Sequence, residues 1–229
     1  MSMTETAADQ FHRGEIETAV VSWQSAAGEG DAEAQYQLGL LYSKGVGLPK
    51  DFSKAHELFL EAAMQGHTEA EYSLGVLYSV GLGVEADVPE AAYWYMRAAE
   101  KDNAPAMCNL AGLYERGEGV TQDFVKAVDL YAKAAHSGHV VAVFNLGVMW
   151  ENGVGLSKDE GKAADLYALA AEAGLPAAKF NLGMLLLEGR GVGSDVERGI
   201  GLLNEAAEQG YGPAKRNLEA LLEVPRGTA

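Results

Sequence analysis

Apolar and polar side chains follow a helical spacing through most of the chain. In residues 34–42, Ala34, Leu38, Leu41 and Tyr42 fall at positions i, i+4, i+7 and i+8, which is one face of an α-helix. A second apolar stripe covers residues 55–63, and polar residues and glycines separate the two stripes. No stretch shows the two-residue alternation of a strand. The pattern predicts an all-α protein.

The pair of stripes returns every 36 residues, and a Gly-x-Gly marks each return, at positions 45/47, 81/83, 117/119, 153/155 and 189/191. The first glycine ends a helix that we name helix A, because glycine adopts the left-handed conformation found just past a helix. An aspartate then precedes a second helix, helix B, at each of Asp51, Asp87, Asp123, Asp159 and Asp195. Its carboxylate is expected to cap that helix. A period of this length indicates stacked antiparallel hairpins rather than one globular core.

The hairpins are expected to form one continuous domain, because no linker interrupts the period. Residues 1–30 hold an incomplete helical hairpin, and residues 31–210 hold five tandem repeats. Residues 211–229 hold a capping helix, predicted from Pro213 to Glu223, and a tail.

The repeated residues resemble a known family. The pattern Ala-x-x-x-Leu-Gly-x-x-Tyr-x-x-Gly-x-Gly-Val, then Asp, Lys-Ala and Ala-Ala-x-x-Gly, is similar to the Sel1-like repeat, a branch of the tetratricopeptide superfamily, over residues 32–222. Single repeats depart from it at Ala111, Trp150, Leu186 and Gly199. The resemblance implies a right-handed α/α superhelical solenoid whose A helices line a concave groove. It also implies an adaptor or scaffold that binds proteins, since most members of the family are of this kind.

Two positions of helix A are candidates for a peptide-binding groove, because the related tetratricopeptide proteins bind there. We call the residues two before the repeat leucine the aromatic row and those one before it the amide row. The candidate residues of the two rows are Tyr36, Tyr72, Asn109, Phe144, Asn145, Phe180, Asn181, Arg216 and Asn217. The aromatic rings would hold apolar side chains, and the amides would bind the backbone of an extended peptide or a partner helix. The rings could instead pack against the next helix, and the asparagines could instead fix the stacking of repeats.

The balance of charge bears on the partner. The chain has 33 acidic and 17 basic residues, a net charge of −16. Nucleic acid is a poor partner for such a chain, because phosphate binding needs clustered Lys and Arg. The charge admits a basic protein or peptide, and Glu115, Glu118, Glu151 and Glu188 could form an acidic rim for it. No apolar run is long enough to insert into a membrane.

Catalytic chemistry is not apparent in the sequence. The single cysteine, Cys108, allows no intramolecular disulfide, and His136 and His139 have no nearby metal-ligating partners. We therefore expect a non-enzymatic protein without metal or cofactor. Two alternatives remain: a hydrolase acting on cell-wall or β-lactam-type substrates, and a scaffold that self-associates through its convex face or end helices. A cysteine-rich secreted group of the family has been linked to β-lactam hydrolysis, but its disulfide-paired cysteines are missing here.

The expected location is the cytoplasm, because residues 1–14 lack the apolar stretch of a signal peptide. A signal peptide cleaved from a precursor would instead make the protein periplasmic or secreted. The sequence leaves the oligomeric state open.

Overall fold

The computed structural model describes residues 2–223, with side chains to Leu221. Thirteen helices and no strand lie in this part of the chain. It divides after Gln122 into two compact units, which are described separately. Unit 1 contains α1 (Met3–His12), α2 (Ile16–Gly28), α3 (Ala32–Lys44), α4 (Phe52–Met64), α5 (Thr68–Val80), α6 (Val88–Ala99) and α7 (Ala104–Arg116).

Unit 2 contains α8 (Phe124–His136), α9 (Val140–Asn152), α10 (Glu160–Glu172), α11 (Pro176–Glu188), α12 (Val196–Glu208) and α13 (Gly212–Glu223). Within each unit every helix packs against the next one along the chain. The predicted all-α fold of tandem helical hairpins is confirmed. The predicted domain boundaries stay a prediction, and the predicted tail after Glu223 lies outside the described residues.

Helix ends follow the sequence signals closely. Asp51, Asp87, Asp123, Asp159 and Asp195 each accept a hydrogen bond at 3.0 Å from the backbone N–H three residues on. The A helices end on glycines in the left-handed conformation, for example Gly45 with φ 72°. Each A helix begins before the first residue of its apolar stripe, because the residue that caps the helix lies ahead of that stripe. Asp31 caps α3 by accepting from the Ala34 N–H at 2.8 Å.

The second loop glycine joins each hairpin to the preceding one. A Cβ built on Gly83 would lie 2.4 Å from the carbonyl oxygen of Phe52, at the start of the preceding B helix. A Cβ on Gly191 would lie 2.4 Å from the carbonyl oxygen of Glu160 in the same way. Only glycine permits this approach of two backbones, so the loops fix how neighbouring hairpins of one unit stack.

A glycine in the middle of helix A lets a helix B ring approach it. A Cβ on Gly75 would lie 2.5 Å from the Tyr95 ring, and a Cβ on Gly147 would lie 2.8 Å from the Tyr167 ring. Tyr95 and Tyr167 are almost fully buried. These rings, with alanines at close helix contacts, form the centre of each hairpin.

Candidate peptide-binding face

The aromatic row of unit 1 lies partly in the core. Tyr36 on α3 is half-buried, with its ring centroid 5.8 Å from that of Phe59, and it stacks at 4.6 Å on the imidazole of His67. Tyr72 on α5 is also half-buried and lies 5.9 Å from Tyr95. Each ring therefore packs on a helix B ring with one edge and keeps part of its surface exposed.

Unit 2 repeats this arrangement at Phe144, whereas the partner of Phe180 is Tyr211 in the turn between α12 and α13. The ring of Phe144 on α9 lies 5.6 Å from that of Tyr167, and the ring of Phe180 on α11 lies 5.6 Å from that of Tyr211. Both phenylalanines are half-buried and pack against buried apolar residues. The sequence left open whether these rings bind a ligand or pack against a neighbouring helix. One side of each ring does pack in this way.

Two members of the amide row, Asn109 and Asn181, contact buried tyrosines. Burial raises the pKa of Tyr95, and hydrogen bonding to Ser79 and to the Asn109 side chain opposes that rise. Burial and the hydrogen bond to Glu151 also raise the pKa of Tyr167, against an opposing hydrogen bond from Asn181. The hydroxyl of Tyr167 donates to Glu151 Oε2 at 2.7 Å, so an Asn181 donor can complete its hydrogen bonding.

A sequence signal for this pairing exists and was missed in the sequence interpretation. Tyr95, Tyr131 and Tyr167 each stand fourteen residues before an asparagine of the amide row. Where that helix B residue is Phe59, without a hydroxyl, the row carries Ser73 instead. The spacing indicates that Asn109 and Asn181 are partly satisfied inside the hairpin by a tyrosine hydroxyl. Asn217 departs from it, because Leu203 stands fourteen residues before it.

Neighbouring repeats bring the two rows together in unit 1. Burial is the main cause that raises the pKa of Tyr36, and a hydrogen bond from Ser73 on α5 opposes it. Tyr36 belongs to the aromatic row of one repeat and Ser73 to the amide row of the next. The next pair of A helices, α5 and α7, is also in contact.

The remaining candidates lie on the A helices of unit 2. Asn145 on α9 and Asn217 on α13 are half-buried, and Arg216 is exposed beside Gly212. Asn145 follows the buried Tyr131 at the spacing of the Asn–Tyr pairs. We call the row residues of each unit its row face. That the row faces line a concave groove stays a prediction.

The acidic residues at the ends of the A helices are largely paired inside the protein. Arg190 in the loop after α11 contacts Glu188 at 2.5 Å, Glu160 at 3.0 Å and Glu151 at 3.1 Å. Hydrogen bonds from Lys158 and Arg190 lower the pKa of Glu160. Arg116 pairs with Glu118 at 2.8 Å in unit 1. These contacts take up much of the acidic rim proposed for a basic ligand, and sequence reasoning overlooked Arg190.

Reactive chemistry is not concentrated at the row faces. Burial raises the pKa of the Cys108 thiol to about 11, which keeps it protonated near neutral pH. Among residues 2–223 no three His, Cys, Asp or Glu side chains gather as a metal site would require. No helix in that span has the length and apolar character needed to cross a bilayer.

Comparison with known proteins identifies the family. The Sel1 repeat model matches residues 32–67, 68–103, 104–139, 140–175 and 176–211. The chain belongs to the Sel1 repeat family. Sel1 repeat proteins generally act as scaffolds for protein–protein interactions, and most are not catalysts. No curated protein matches the sequence.

Solved Sel1-like repeat (SLR) structures share the fold. A Sel1 repeat protein from Oxalobacter formigenes is 27% identical, with a TM-score of 0.92 over 100% of this chain and 92% of its own. A protective antigen from uropathogenic Escherichia coli, described as having an SLR fold, is 33% identical with a TM-score of 0.84. The match covers 93% of this chain but only 45% of the antigen. The immunity protein Pa5087 of Pseudomonas aeruginosa, 21% identical with a TM-score of 0.51 over 86% of this chain and 75% of its own, shares the fold alone.

Proposed function

We propose that this Sel1 repeat protein is a non-enzymatic adaptor that binds an extended peptide or a helix of a partner protein on its row faces. The observation that carries the proposal is the amide row, which recurs at one register and in which Asn109 and Asn181 each contact one buried tyrosine hydroxyl. A side-chain amide has two donor hydrogens and an acceptor oxygen, so one hydroxyl leaves bonding capacity for a ligand. A peptide backbone offers matching groups without regard to its sequence.

The aromatic row would add apolar contacts. Tyr36, Tyr72 and Phe144 pack on helix B rings, and Phe180 packs on Tyr211 in the turn after helix B, so a ligand meets rings that are already fixed in place. A fixed surface loses little conformational freedom on binding, which favours affinity. A small interface of this kind typically gives a Kd of about 1 μM.

The test compares capture by variants that keep the fold. Serine replaces Asn145 and Asn181, because Ser73 occupies the same register in the second repeat. The matched control replaces two exposed apolar residues of B helices in the same unit, Val125 and Leu169, with alanine. Substitution of Phe144 or Phe180 is avoided, since both pack on buried residues.

Immobilised wild type, Asn145→Ser/Asn181→Ser and the control are incubated with lysate of the native host, and captured proteins are quantified by mass spectrometry. We expect a protein that the wild type and control capture equally and the row variant captures at least about tenfold less, with unchanged helical circular dichroism. Equal capture by all three would place binding on another surface.

The same samples separate the two alternatives. A concentration-dependent dimer in light scattering, unaffected by the row variant, would favour a self-associating scaffold. Hydrolysis of nitrocefin by the wild type would favour the hydrolase.

A further inference from the structure

Unit 1 contains a cavity of about 290 Å³ beside its first buried tryptophan. It lies between α1 and the first turn of α3, and we call it the Trp23 cavity. Its principal lining residues are Thr4, Glu5, Ala8, Trp23, Asp31 and Glu33. Ser2 and Gln37 complete the lining, and Gln37 holds the amide-row register before Leu38, so the cavity adjoins the first repeat's part of the row face.

Three carboxylates surround the cavity, and their hydrogen-bond partners are backbone N–H groups, the amide of Gln37 and the imidazole of His67. Glu5 accepts from the backbone N–H of Ser2 at 2.7 Å, and Asp31 uses Oδ1 to cap α3. Glu33 accepts from the amide of Gln37 at 2.7 Å, and its other oxygen lies 3.0 Å from His67 Nε2. In these bonds Glu5 and Asp31 act as helix caps, and neither has a cationic side chain paired with it among the described residues.

Lysine and arginine are missing from this site. Within the described residues, the lining of the cavity and the ion pairs of Glu5, Asp31 and Glu33 include neither residue type. Elsewhere the protein does pair its carboxylates with cations: Glu71 has Arg97 and Lys101, for example. The Trp23 cavity therefore concentrates negative charge, and within the described residues only the Glu33 carboxylate has a titratable basic partner, His67.

Two deeply buried lining residues also have unused polar atoms. Trp23 is 3% exposed and its Nε1 has no hydrogen-bond partner, and Thr4 is 8% exposed with an unpartnered Oγ1. Buried polar groups are normally satisfied, because leaving one unpaired lowers stability. Both side chains line the cavity, so a ligand entering it with a hydrogen-bond acceptor and a donor comes next to these groups.

We propose that the Trp23 cavity receives a lysine or arginine side chain from a basic segment of a partner protein. The alkyl stem of such a side chain matches the apolar walls formed by Ala8 and Trp23, while its charged end reaches the carboxylates at the rim. A cation near an indole ring gains further attraction from the ring face. The backbone of the same segment supplies an amide acceptor and donor for Trp23 Nε1 and Thr4 Oγ1.

The charge of the whole chain supports this choice of ligand. A net charge of −16 draws a basic segment toward the protein over several ångströms before contact. The proposal deepens the proposed adaptor function by naming a chemistry for the partner. It rests on residues of α1–α3, whereas the capture test above uses α9 and α11, so either can fail alone.

The experiment uses the full chain and a defined probe. Nα-acetyl-lysine N-methylamide is titrated into the ¹⁵N-labelled protein while the indole N–H signals are followed by NMR. Nα-acetyl-norleucine N-methylamide, which has a similar stem and no charge, is titrated in parallel. We expect a saturable shift of the Trp23 signal with the lysine probe, with a Kd on the order of a millimolar because a single side chain makes few contacts. The signals of Trp94 and Trp150 should stay in place.

A charge-neutral variant tests the carboxylates without removing the helix caps. Glu5→Gln/Asp31→Asn/Glu33→Gln keeps an oxygen acceptor at each position and should weaken lysine binding by at least about tenfold. The control, Glu85→Gln/Asp87→Asn/Glu90→Gln, removes three charges around the cap of α6 and should bind as the wild type does. No saturable shift, equal binding of norleucine, or equal weakening in the control would overturn the proposal.

Discussion

The ammonium of Lys101 lies 2.8 Å from both carboxylate oxygens of Glu71, a side chain with no exposed surface. The guanidinium of Arg97 reaches the same carboxylate at 2.8 Å, and Lys101 also donates to the backbone carbonyl of Gly66 at 2.9 Å. The cations are partly exposed and the anion is not. Removing one side of this group should therefore have a different effect from removing the other.

Loss of the cations should be the more damaging change. Arg97→Met/Lys101→Met leaves a buried carboxylate without compensation and should lower the free energy of unfolding by about 3–5 kcal/mol. Glu71→Met lets both cations turn to water, and Met107 fills the same register in the next repeat, so a loss below about 2 kcal/mol is expected. Urea denaturation of the two variants and of the triple methionine variant measures the difference. A larger loss in Glu71→Met would contradict the argument.

Glycine at position 75 should be required by the Tyr95 ring. Gly75→Ala places a methyl group 2.5 Å from a buried ring that backbone and neighbours hold in place. We expect a loss of about 1–3 kcal/mol in thermal or urea unfolding. Gly201→Ala is the control, because nothing lies within 4 Å of its Cβ position on helix α12. That change should raise stability by about 0.5–1 kcal/mol, since alanine favours a helix more than glycine does.

The cap of α9 should make stability depend on pH. His139 Nδ1 accepts from the Ala142 N–H at 3.3 Å, which requires the neutral ring, and burial lowers the pKa of His139. The unfolded chain then binds a proton at higher pH than the folded one. The contribution of His139 to the free energy of unfolding is complete above the ordinary histidine pKa of about 6.5. It is lost as the pH falls below that value.

His139→Asn isolates this effect, because Asn103 caps α7 through the same bond to Ala106 at 2.9 Å. Unfolding free energies are measured from pH 7.5 to pH 5. The wild type should fall more steeply than the variant, by no more than about 1.4 kcal/mol per pH unit. His136→Asn, at an exposed position, serves as the control, and a slope unchanged in His139→Asn would show that another group causes it.

Arg190 should make unit 2 sensitive to pH and salt. The hydrogen bonds from Lys158 and Arg190 lower the pKa of Glu160. The contribution of Glu160 to the stability of the fold is therefore present above the ordinary glutamate pKa and is lost as the pH falls through the lowered value. Arg190→Ala should therefore lose less stability than the wild type between pH 6 and pH 3. It should also gain stability with added salt, because Glu151, Glu160 and Glu188 are left to repel one another. Circular dichroism melts at low and high salt measure both effects.

The sequence predicted the local structure because each signal acts within a few residues. The aspartates that precede helix B cap it, and the glycines after helix A adopt the conformation expected of them. Asp102 replaces the glycine that ends helix B in other repeats and still turns the chain, with φ 61°. These outcomes depend on the backbone and on one nearby side chain.

Interactions between distant positions were harder to predict. Arg190 pairs with Glu151, which is 39 residues earlier in the sequence. The number of acidic residues alone does not show that this carboxylate is neutralised by an arginine. At the register of Glu71 the first repeat carries Gln35, bonded to Glu61 at 2.9 Å, and the fifth carries Lys179, bonded to Glu205 at 2.6 Å. The residue at this register is matched in charge and hydrogen bonding to a partner on the following helix. Its role can therefore be predicted only when the partner on that helix is known.

The two kinds of glycine turn differ in what surrounds them. A Cβ at Gly155 would meet the backbone of Phe124 at 2.6 Å, while one at Gly138 would meet nothing within 4 Å. An inserted linker, a spectroscopic label or new chain termini would therefore be accommodated at the turn after helix B and would disrupt packing at the loop after helix A. Anyone inserting a linker or label into these repeats should place it at Gly138 and leave the loop after helix A unchanged.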